Sequence, residues 1–482
     1  MSIGIVLIGL GTTPDDLTIS ARTLLENAQE VVLLDTLPPG YQAFVAMDHF
    51  RMLDAMMEEQ GAVESTDDVS ANLLLKLGIR PEGVVIAMSG DPTFNNALIG
   101  LLRKKAEGVS IPVKIYPAAG CLQHCLALSG VDAAAGLFQM RADRLGGIHH
   151  PPFSPDTYAF LDHLPAGEKL QELVDMLSNQ YPGSFRVSVY LQDGVGIYTR
   201  REMALDVVPE EAAGNGFQAM LIPPMKQESS LESFQETIAH LRAEDGCPWD
   251  RKQTHQTLRL HLLEETYEAL DALDRGDMHA LREELGDLLL QIVLHAQIGT
   301  ENGSFRMADV IAGIQTKIIH RHPHVFSDTT VENMDDVLAN WEALKKSERK
   351  SEGSDASLLN GVPRNLPALA QAVEIQDRAA RVGFEWDAID GVLDKIQEEV
   401  EEIRAAETSD ERAAEFGDLL FVLSNYARWL DIEPESALRE ASARFRSRFT
   451  ALEQIVLERG LELSDLSLEE MDAIWDQVKA DE

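Results

Sequence analysis

Basic residues are scarce. The 482-residue chain carries 41 Lys and Arg against 81 Asp and Glu, a formal net charge of −40. Nucleic acids and anionic membranes bear the same sign, which argues against nonspecific attachment to either. Most of the acidity is expected on solvated helix faces. Cysteine is scarcer still, with Cys121, Cys125 and Cys247 as the full set. Three cysteines so spaced build neither a disulfide framework nor a zinc site, and Cys121 and Cys125 read as small buried residues of a helix. No apolar run reaches the length needed to span a bilayer. The N-terminal MSIGIVLIGLG is apolar but short, lacks a basic leader and runs directly into acidic sequence. It reads as a strand rather than a signal peptide, and a cytoplasmic protein is the expectation.

Residues 1–224 read as an α/β domain. Strand candidates are Ile3–Gly9, Val31–Asp35, Val84–Met88, Val113–Tyr116, Arg186–Leu191 and Gln218–Ile222, with helical patterns such as Thr18–Ala28 and Asn95–Lys105 between them. The first strand ends in Gly9-Leu-Gly11 and the third in Ser89-Gly90-Asp91-Pro92. Glycine-rich turns at the carboxyl ends of strands are where α/β sheets bind ligands, although the same turns also serve merely to close a sheet. Pro223–Ser230 marks a boundary, beyond which the pattern becomes helical.

The helical part is organised around His261–Gln291, two helices joined by a turn at Asp274–Asp277. Residues three apart share a helix face, so Glu265 projects with Glu268, and Glu284 with Asp287. A short connection favours antiparallel packing, which converges the four carboxylates; like charges that close need a cation between them. The pattern recurs in Ile396–Val422. Glu399 and Glu402 stand 134 residues beyond the first pair, and Glu415 and Asp418 stand 131 beyond the second. Each copy is prefaced by a Trp-Asp step, at Trp249-Asp250 and Trp386-Asp387. Each is followed by a basic pair at i, i+4 (Lys317 and Arg321; Arg444 and Arg448) and then by Trp341 or Trp475. An ordered internal repeat is a structural unit used twice. The expected bounds are 231–349 for the first unit, 350–367 for a polar linker and 368–482 for the second.

All-carboxylate sets suit hard cations such as Mg²⁺ or Mn²⁺. Di-iron bundles require Glu-x-x-His, and here the third residue after Glu284 and Glu415 is Asp, which disfavours redox chemistry. A triphosphate is the natural partner of such a cation, which offsets the repulsion between phosphates and an acidic protein. Glu264 and Glu398, each beside a ligand, are candidates to orient the attacking water or to hold a further ion. Lys317, Arg321, Arg444 and Arg448 are candidates to hold phosphate oxygens. Trp341 and Trp475 either stack on a base or belong to the core; Trp249 and Trp386 serve packing or base recognition. Leu262, Leu263, Leu270 and Leu273, with Leu285 and Leu288–Leu290, place the carboxylates near a packed apolar face.

Gly-Cys-Pro-Trp-Asp at 246–250, the LLEETYEALDA and LREELGDLLLQIV stretches and His320-Arg-His-Pro-His-Val-Phe326 resemble the MazG nucleoside triphosphate pyrophosphohydrolases across 231–482. The resemblance implies two all-α helical bundles that bind Mg²⁺ and hydrolyse nucleoside triphosphates to monophosphate and pyrophosphate. Its implied ligands are Glu265, Glu268, Glu284 and Asp287, then Glu399, Glu402, Glu415 and Asp418. Residues 1–224 resemble the tetrapyrrole (corrin/porphyrin) methylase fold through Ile8-Gly-Leu-Gly11, Ser89-Gly-Asp-Pro92 and Tyr116-Pro-Ala-Ala-Gly120. That resemblance implies an S-adenosylmethionine site at Gly9, Gly11, Gly90, Asp91 and Pro92. Two departures, Thr12-Thr13-Pro14-Asp15 in place of a further glycine and the bulky Thr93-Phe94-Asn95-Asn96, count against methyl transfer and point to a degenerate site. The leading expectation is therefore a metal-dependent pyrophosphohydrolase that clears noncanonical nucleotides, working as a homodimer or through pairing of its repeats. The alternatives are an S-adenosylmethionine-dependent methyltransferase with a nucleotide-sensing helical module, and a sensor without turnover.

Overall fold

Runs of Ile, Val and Leu too short for helices make the central strands of a parallel sheet, buried on both faces, and less apolar strands lie at its edges. In the computed structural model, which describes residues 4–41, 49–59, 66–93, 96–327 and 357–480 with 329–331, 333–334, 337, 340–341 and 344, they form β1 Ile5–Gly9, β2 Val31–Leu33, β3 Phe50–Met52, β4 Val84–Met88 and β5 Val113–Tyr116. The sheet order is β3-β2-β4-β1-β5 with every pairing parallel. β1 is buried along its whole length between β4 and β5, so its carboxyl end emerges beside that of β4. Helices α1 Ile19–Asn27, α2 Leu53–Glu59, α3 Asp67–Gly78 and α4 Ala97–Gly108 lie between these strands, α2 and α3 both in the connection from β3 to β4. Thr18, Thr66 and Asn96 start α1, α3 and α4 by accepting a backbone N–H three residues on.

A second sheet follows α5 Cys121–Ser129. It comprises β6 Leu137–Arg141, β7 Tyr158–Asp162, β8 Arg186–Gln192, β9 Tyr198–Ala204 and β10 Ala219–Ile222 in the order β6-β7-β10-β8-β9. Only β6 and β7 pair in parallel; the other pairings are antiparallel. α6 Glu168–Ser178 buries Leu170, Leu173, Val174 and Leu177 against Leu161, Val187, Val189 and Met220 of this sheet. α7 Val208–Ala212 joins the same core through Val208.

The chain divides into two units, Met1–Thr237 and Ile238–Glu482, with the division inside α8 Leu231–Arg242. The second unit is helical throughout its described residues: α9 Arg259–Asp274, α10 Met278–Glu301, α11 Met307–Arg321, α12 Pro323–Phe326, α13 Ala368–Ala380, α14 Ile389–Ala405, α15 Ser409–Trp429, α16 Pro434–Glu458 and α17 Leu468–Ala480. Gly276, at φ +65°, allows the reversal between α9 and α10, and the Asp277 carboxylate caps α10 by accepting from His279 and Ala280. Thr408 and Glu411 form a capping box at the equivalent start of α15. Buried Arg378 donates to the carbonyls of Leu358, Asn360 and Gly361, tying the end of the expected linker to α13. Residues 350–356 of the expected linker lie outside the described residues, as do 345–349 at the end of the first expected unit and Phe94 and Asn95.

Candidate metal centres and cleft

The sequence converges carboxylates because α9 folds back along α10, and α14 along α15. In the first copy, oxygens of Glu265, Glu268 and Glu284 come within 4.8 Å of one another. Burial, followed by the charges of Asp287, Glu268, Glu284 and Glu264, pushes Glu265 above its usual carboxylate range. Burial and the charges of Glu268 and Asp287 do the same to Glu284. Asp287 lies outside the three-residue set but close enough for its charge to act on both. In the second copy the set is Glu399, Glu415 and Asp418, again within 4.8 Å, and Glu402 stands outside it. Glu415 is raised by burial, then by Glu402, Glu399 and Asp418. Glu399 is only 3% exposed, and its buried Oε2 has no hydrogen-bond partner. Oxygen donors held together against their own repulsion, one of them buried and unpartnered, fit a hard divalent cation.

The two copies differ in one respect that the sequence reading overlooked. Lys395 Nζ lies 2.8 Å from Glu399 and 2.9 Å from Glu398, so a cation from the chain itself reaches the second set. The equivalent position in the first copy is His261, whose Nδ1 meets Glu264 at 3.2 Å and leaves Glu265 alone. The signal was present, since Lys395 and Glu399 stand at i, i+4 on one face of α14. Glu264 itself is exposed.

The basic pairs are not members of these sets. Lys317 is exposed on α11, and the Arg321 guanidinium lies over the Trp341 ring at 5.6 Å. Arg444 pairs with Glu440 at 3.4 Å on α16, where Arg448 is partly buried. The tryptophans separate into types. Trp249 is 57% exposed and meets the His261 ring edge-on at 6.3 Å, which brings the preface beside the first turn of α9. Trp386 lies against the Gly391 backbone at the start of α14, and Trp475 packs on Phe445 in a core with Leu452, Val456 and Ile474.

The apolar face expected to be packed is packed only in part. Leu262, Leu263, Leu273, Leu285 and Leu289 are exposed, whereas Leu270, Leu288 and Leu290 are half-buried. Their spacing reads as a buried stripe, yet nothing among the described residues of the chain covers its exposed members.

In the first unit a cavity of about 280 Å³ opens at the carboxyl ends of β1 and β4, lined by Asp35, Gly90, Asp91, Gly120, Cys121 and Tyr198 among others. Of the glycine-turn residues, Gly90 and Asp91 line it directly, while Gly9, Gly11 and Pro92 shape it from behind. Gly11, at φ +64°, exchanges backbone hydrogen bonds with Gly90. A Cβ on Gly9 would stand 2.7 Å from both the Gly90 carbonyl and Pro92. The Thr12–Asp15 loop is well formed despite its missing glycine. Asp16 accepts from the Thr12 and Thr13 N–H groups at 2.8 and 2.9 Å and meets His124 Nε2 at 2.9 Å. Asp35 was missed from the site although it closes an expected strand; it accepts from the Ser89 N–H, and burial pushes its carboxyl upward.

Comparison with known proteins decides the family. The MazG nucleotide pyrophosphohydrolase domain matches residues 253–326, which contain α9, α10 and α11. The nucleoside triphosphate pyrophosphohydrolase of Escherichia coli (strain K12) is 46% identical over 244 residues, covering 50% of this chain and 92% of that protein. The chain belongs to the MazG family. The Thermotoga maritima nucleoside triphosphate pyrophosphohydrolase/pyrophosphatase MazG is 42% identical over 259 residues, 53% of this chain and 98% of that protein. The tetrapyrrole (corrin/porphyrin) methylases match residues 4–190. YabN of Bacillus subtilis (strain 168) is 36% identical over 494 residues and 99% of each chain, so the methylase-like and MazG parts occur together in that relative as well. The methylase match runs through the Thr12–Asp15 departure, and nothing in the described cleft marks it as degenerate.

Proposed function

We propose that the helical unit hydrolyses nucleoside triphosphates to monophosphates and pyrophosphate with Mg²⁺, or Mn²⁺ in its place, and so clears noncanonical nucleotides. The observation that carries this is the pair of three-carboxylate sets on α9–α10 and α14–α15. A bound divalent cation supplies charge neutralisation for the phosphates and acidifies a coordinated water. Glu265, Glu268, Glu284 and Asp287 hold it in the first copy, and Glu399, Glu402, Glu415 and Asp418 in the second, the outlying Asp287 and Glu402 completing each set. Glu264 and Glu398 accept hydrogen bonds from the attacking water and aim it at the α-phosphorus. Lys317, Arg321, Arg444 and Arg448 hold phosphate oxygens once a triphosphate draws them in, and exposed Trp249 offers its face to the base, with Trp386 in the corresponding place and Trp341 and Trp475 as supports. The repeats occupy 231–349 and 368–482.

The exposed leucine face beside the carboxylates is best covered by a second copy of the chain, which makes the working form a homodimer. The cleft of the first unit takes S-adenosylmethionine across Gly9, Gly11, Gly90, Asp91 and Pro92; the methylase match and the place of the cavity at the carboxyl ends of β1 and β4 support that second reading. No described helix is long and apolar enough to cross a membrane, in keeping with a cytoplasmic enzyme.

Hydrolysis in ¹⁸O-labelled water tests the reaction. Label in the nucleoside monophosphate, with none in pyrophosphate, is the expected result. Label in orthophosphate, or release of nucleoside diphosphate, would exclude it.

A further inference from the structure

Cys121 and Cys125 have no part in nucleotide hydrolysis, yet they are placed with purpose-like geometry for thiol chemistry. They lie on one face of α5 with their sulfurs 3.7 Å apart, and both are free thiols. Cys121 lines the cavity of about 280 Å³, whereas Cys125 is buried beneath it at 1% exposure. One sulfur is therefore reachable by a small solute and the other only by its neighbour. Cys121 is also the first residue of a nine-residue helix, where the free N–H groups of the first turn favour a thiolate. The hydrogen bond with Cys125, aided by one from Tyr198 and opposed by burial, holds the Cys121 thiol below its ordinary range. The same hydrogen bond and burial push Cys125 upward.

We propose that Cys121 and Cys125 form a peroxide-reactive pair, Cys121 attacking and Cys125 resolving, that closes reversibly to a disulfide at the mouth of the first unit's cleft. The Cys121 thiolate attacks one oxygen of hydrogen peroxide. The S–O bond forms, the O–O bond breaks, and the departing hydroxide takes a proton to leave as water. Cys125 then attacks the sulfur of the resulting sulfenic acid. The S–S bond forms, the S–O bond breaks, and the second hydroxide leaves as water with the Cys125 proton. Two thiols lose two electrons and the peroxide becomes two waters; a small dithiol returns the pair to its reduced state.

Closure needs the sulfurs to approach from 3.7 Å to about 2.05 Å. The first turn of α5 can yield, because the Cys121 N–H belongs to the unbonded set at a helix start. Drawing Cys121 inward shifts Gly120, whose N–H bonds Gln123 Oε1 at 2.8 Å, and both residues line the cavity. Oxidation therefore reshapes the ligand cleft rather than merely capping a sulfur.

The test is stoichiometric hydrogen peroxide on the full chain, followed by alkylation and intact and peptide mass measurement. The expected result is a loss of about 2 Da, protection of Cys121 and Cys125 from alkylation, and full reversal by dithiothreitol. Cys247 stays alkylated and serves as the internal reference. In Cys125→Ser, Cys121 should stop as a sulfenic acid that dimedone traps, and Cys121→Ser should leave Cys125 unreacted. Direct conversion of wild-type Cys121 to sulfinic acid, or reaction no faster than that of Cys247, would overturn the proposal.

Discussion

Lys395 offers the sharpest test of how the second carboxylate set is balanced. Replacing it with methionine keeps the aliphatic stem and removes the only cation shown within 3 Å of Glu399 among the described residues. At 2.8 Å and an effective dielectric constant of about 20–40, the attraction is roughly 3–6 kcal/mol. The Lys395 side chain is 32% exposed, so water screens part of this. Its desolvation offsets another part, leaving a loss of about 2 kcal/mol on truncation, or roughly thirty-fold in the folding equilibrium. Most of that loss is the cost of stranding a carboxylate that is itself buried. Urea unfolding followed by tryptophan fluorescence reads it, since Trp429 and Trp475 lie in this part of the chain. Mg²⁺ at a hundred times its dissociation constant adds about 2.7 kcal/mol to any fold that binds it. Lys395→Met frees Glu399 for the ion, so Mg²⁺ should stabilise the variant more than the wild type and erase most of the deficit. Equal stability without Mg²⁺, or an equal Mg²⁺ increment in both proteins, would refute this reasoning.

Three further outcomes are expected. His255 and His295 share one hydrogen bond between their Nδ1 atoms at 2.8 Å, and burial, then the charge of His255, holds His295 below its ordinary value of 6.5. A depressed histidine gives stability that is full above about 6.5 and lost as pH falls toward the folded value, so melting curves between about pH 7.5 and 5.5 should drop more for wild type than for His295→Gln. Gly9→Ala places a methyl against the Gly90 carbonyl and should cost about 1–3 kcal/mol in the first unit. The same change should abolish S-adenosylmethionine binding by calorimetry; unchanged binding would move the ligand elsewhere. Trp475→Ala removes a partly buried ring packed against Leu452, Val456 and Ile474 and should destabilise by about 1–3 kcal/mol, whereas exposed Trp249→Ala should leave urea unfolding within about 0.5 kcal/mol and raise KM instead.

Periodicity made the helical part legible. The reversal at Asp274–Asp277 and the pairing of acidic faces follow from spacing alone, because i, i+3 carboxylates on consecutive helices have few other ways to lie. Strands with uninterrupted apolar runs, such as Ile5–Gly9 and Val84–Met88, were equally plain. β3 was not, because Phe50-Arg51-Met52 is half-buried with a charge at its centre, and β9 was not, because Arg200, Arg201 and Glu202 of an edge strand face solvent and carry no alternation. β6 also escaped, since Gln139 and Arg141 break its apolar pattern beside the cleft; β7 was missed although Tyr158–Leu161 is an unbroken apolar run.

Spacing brought the carboxylates to one place but did not set the distances between them. Composition and spacing pointed to a carboxylate-held cation, yet Asp287 and Glu402 fall outside their three-residue sets, since side-chain reach is not encoded in spacing. The leucine stripe around the carboxylates shows the other limit. A hydrophobic period announces burial but not by what, and Leu262, Leu263, Leu273, Leu285 and Leu289 stay exposed among the described residues.

The most direct measurement is pyrophosphate release from a panel of nucleoside triphosphates with Mg²⁺, by wild type, Glu268→Gln, Glu402→Gln and the double variant. The account predicts equal amounts of monophosphate and pyrophosphate from the wild type, with partial loss in each single variant. It predicts a fall of at least about a hundred-fold in the double variant, since charge held for the transition state is lost from both sets. Wild-type rates in the double variant, or no release by the wild type from any nucleotide despite Mg²⁺ binding, would contradict it.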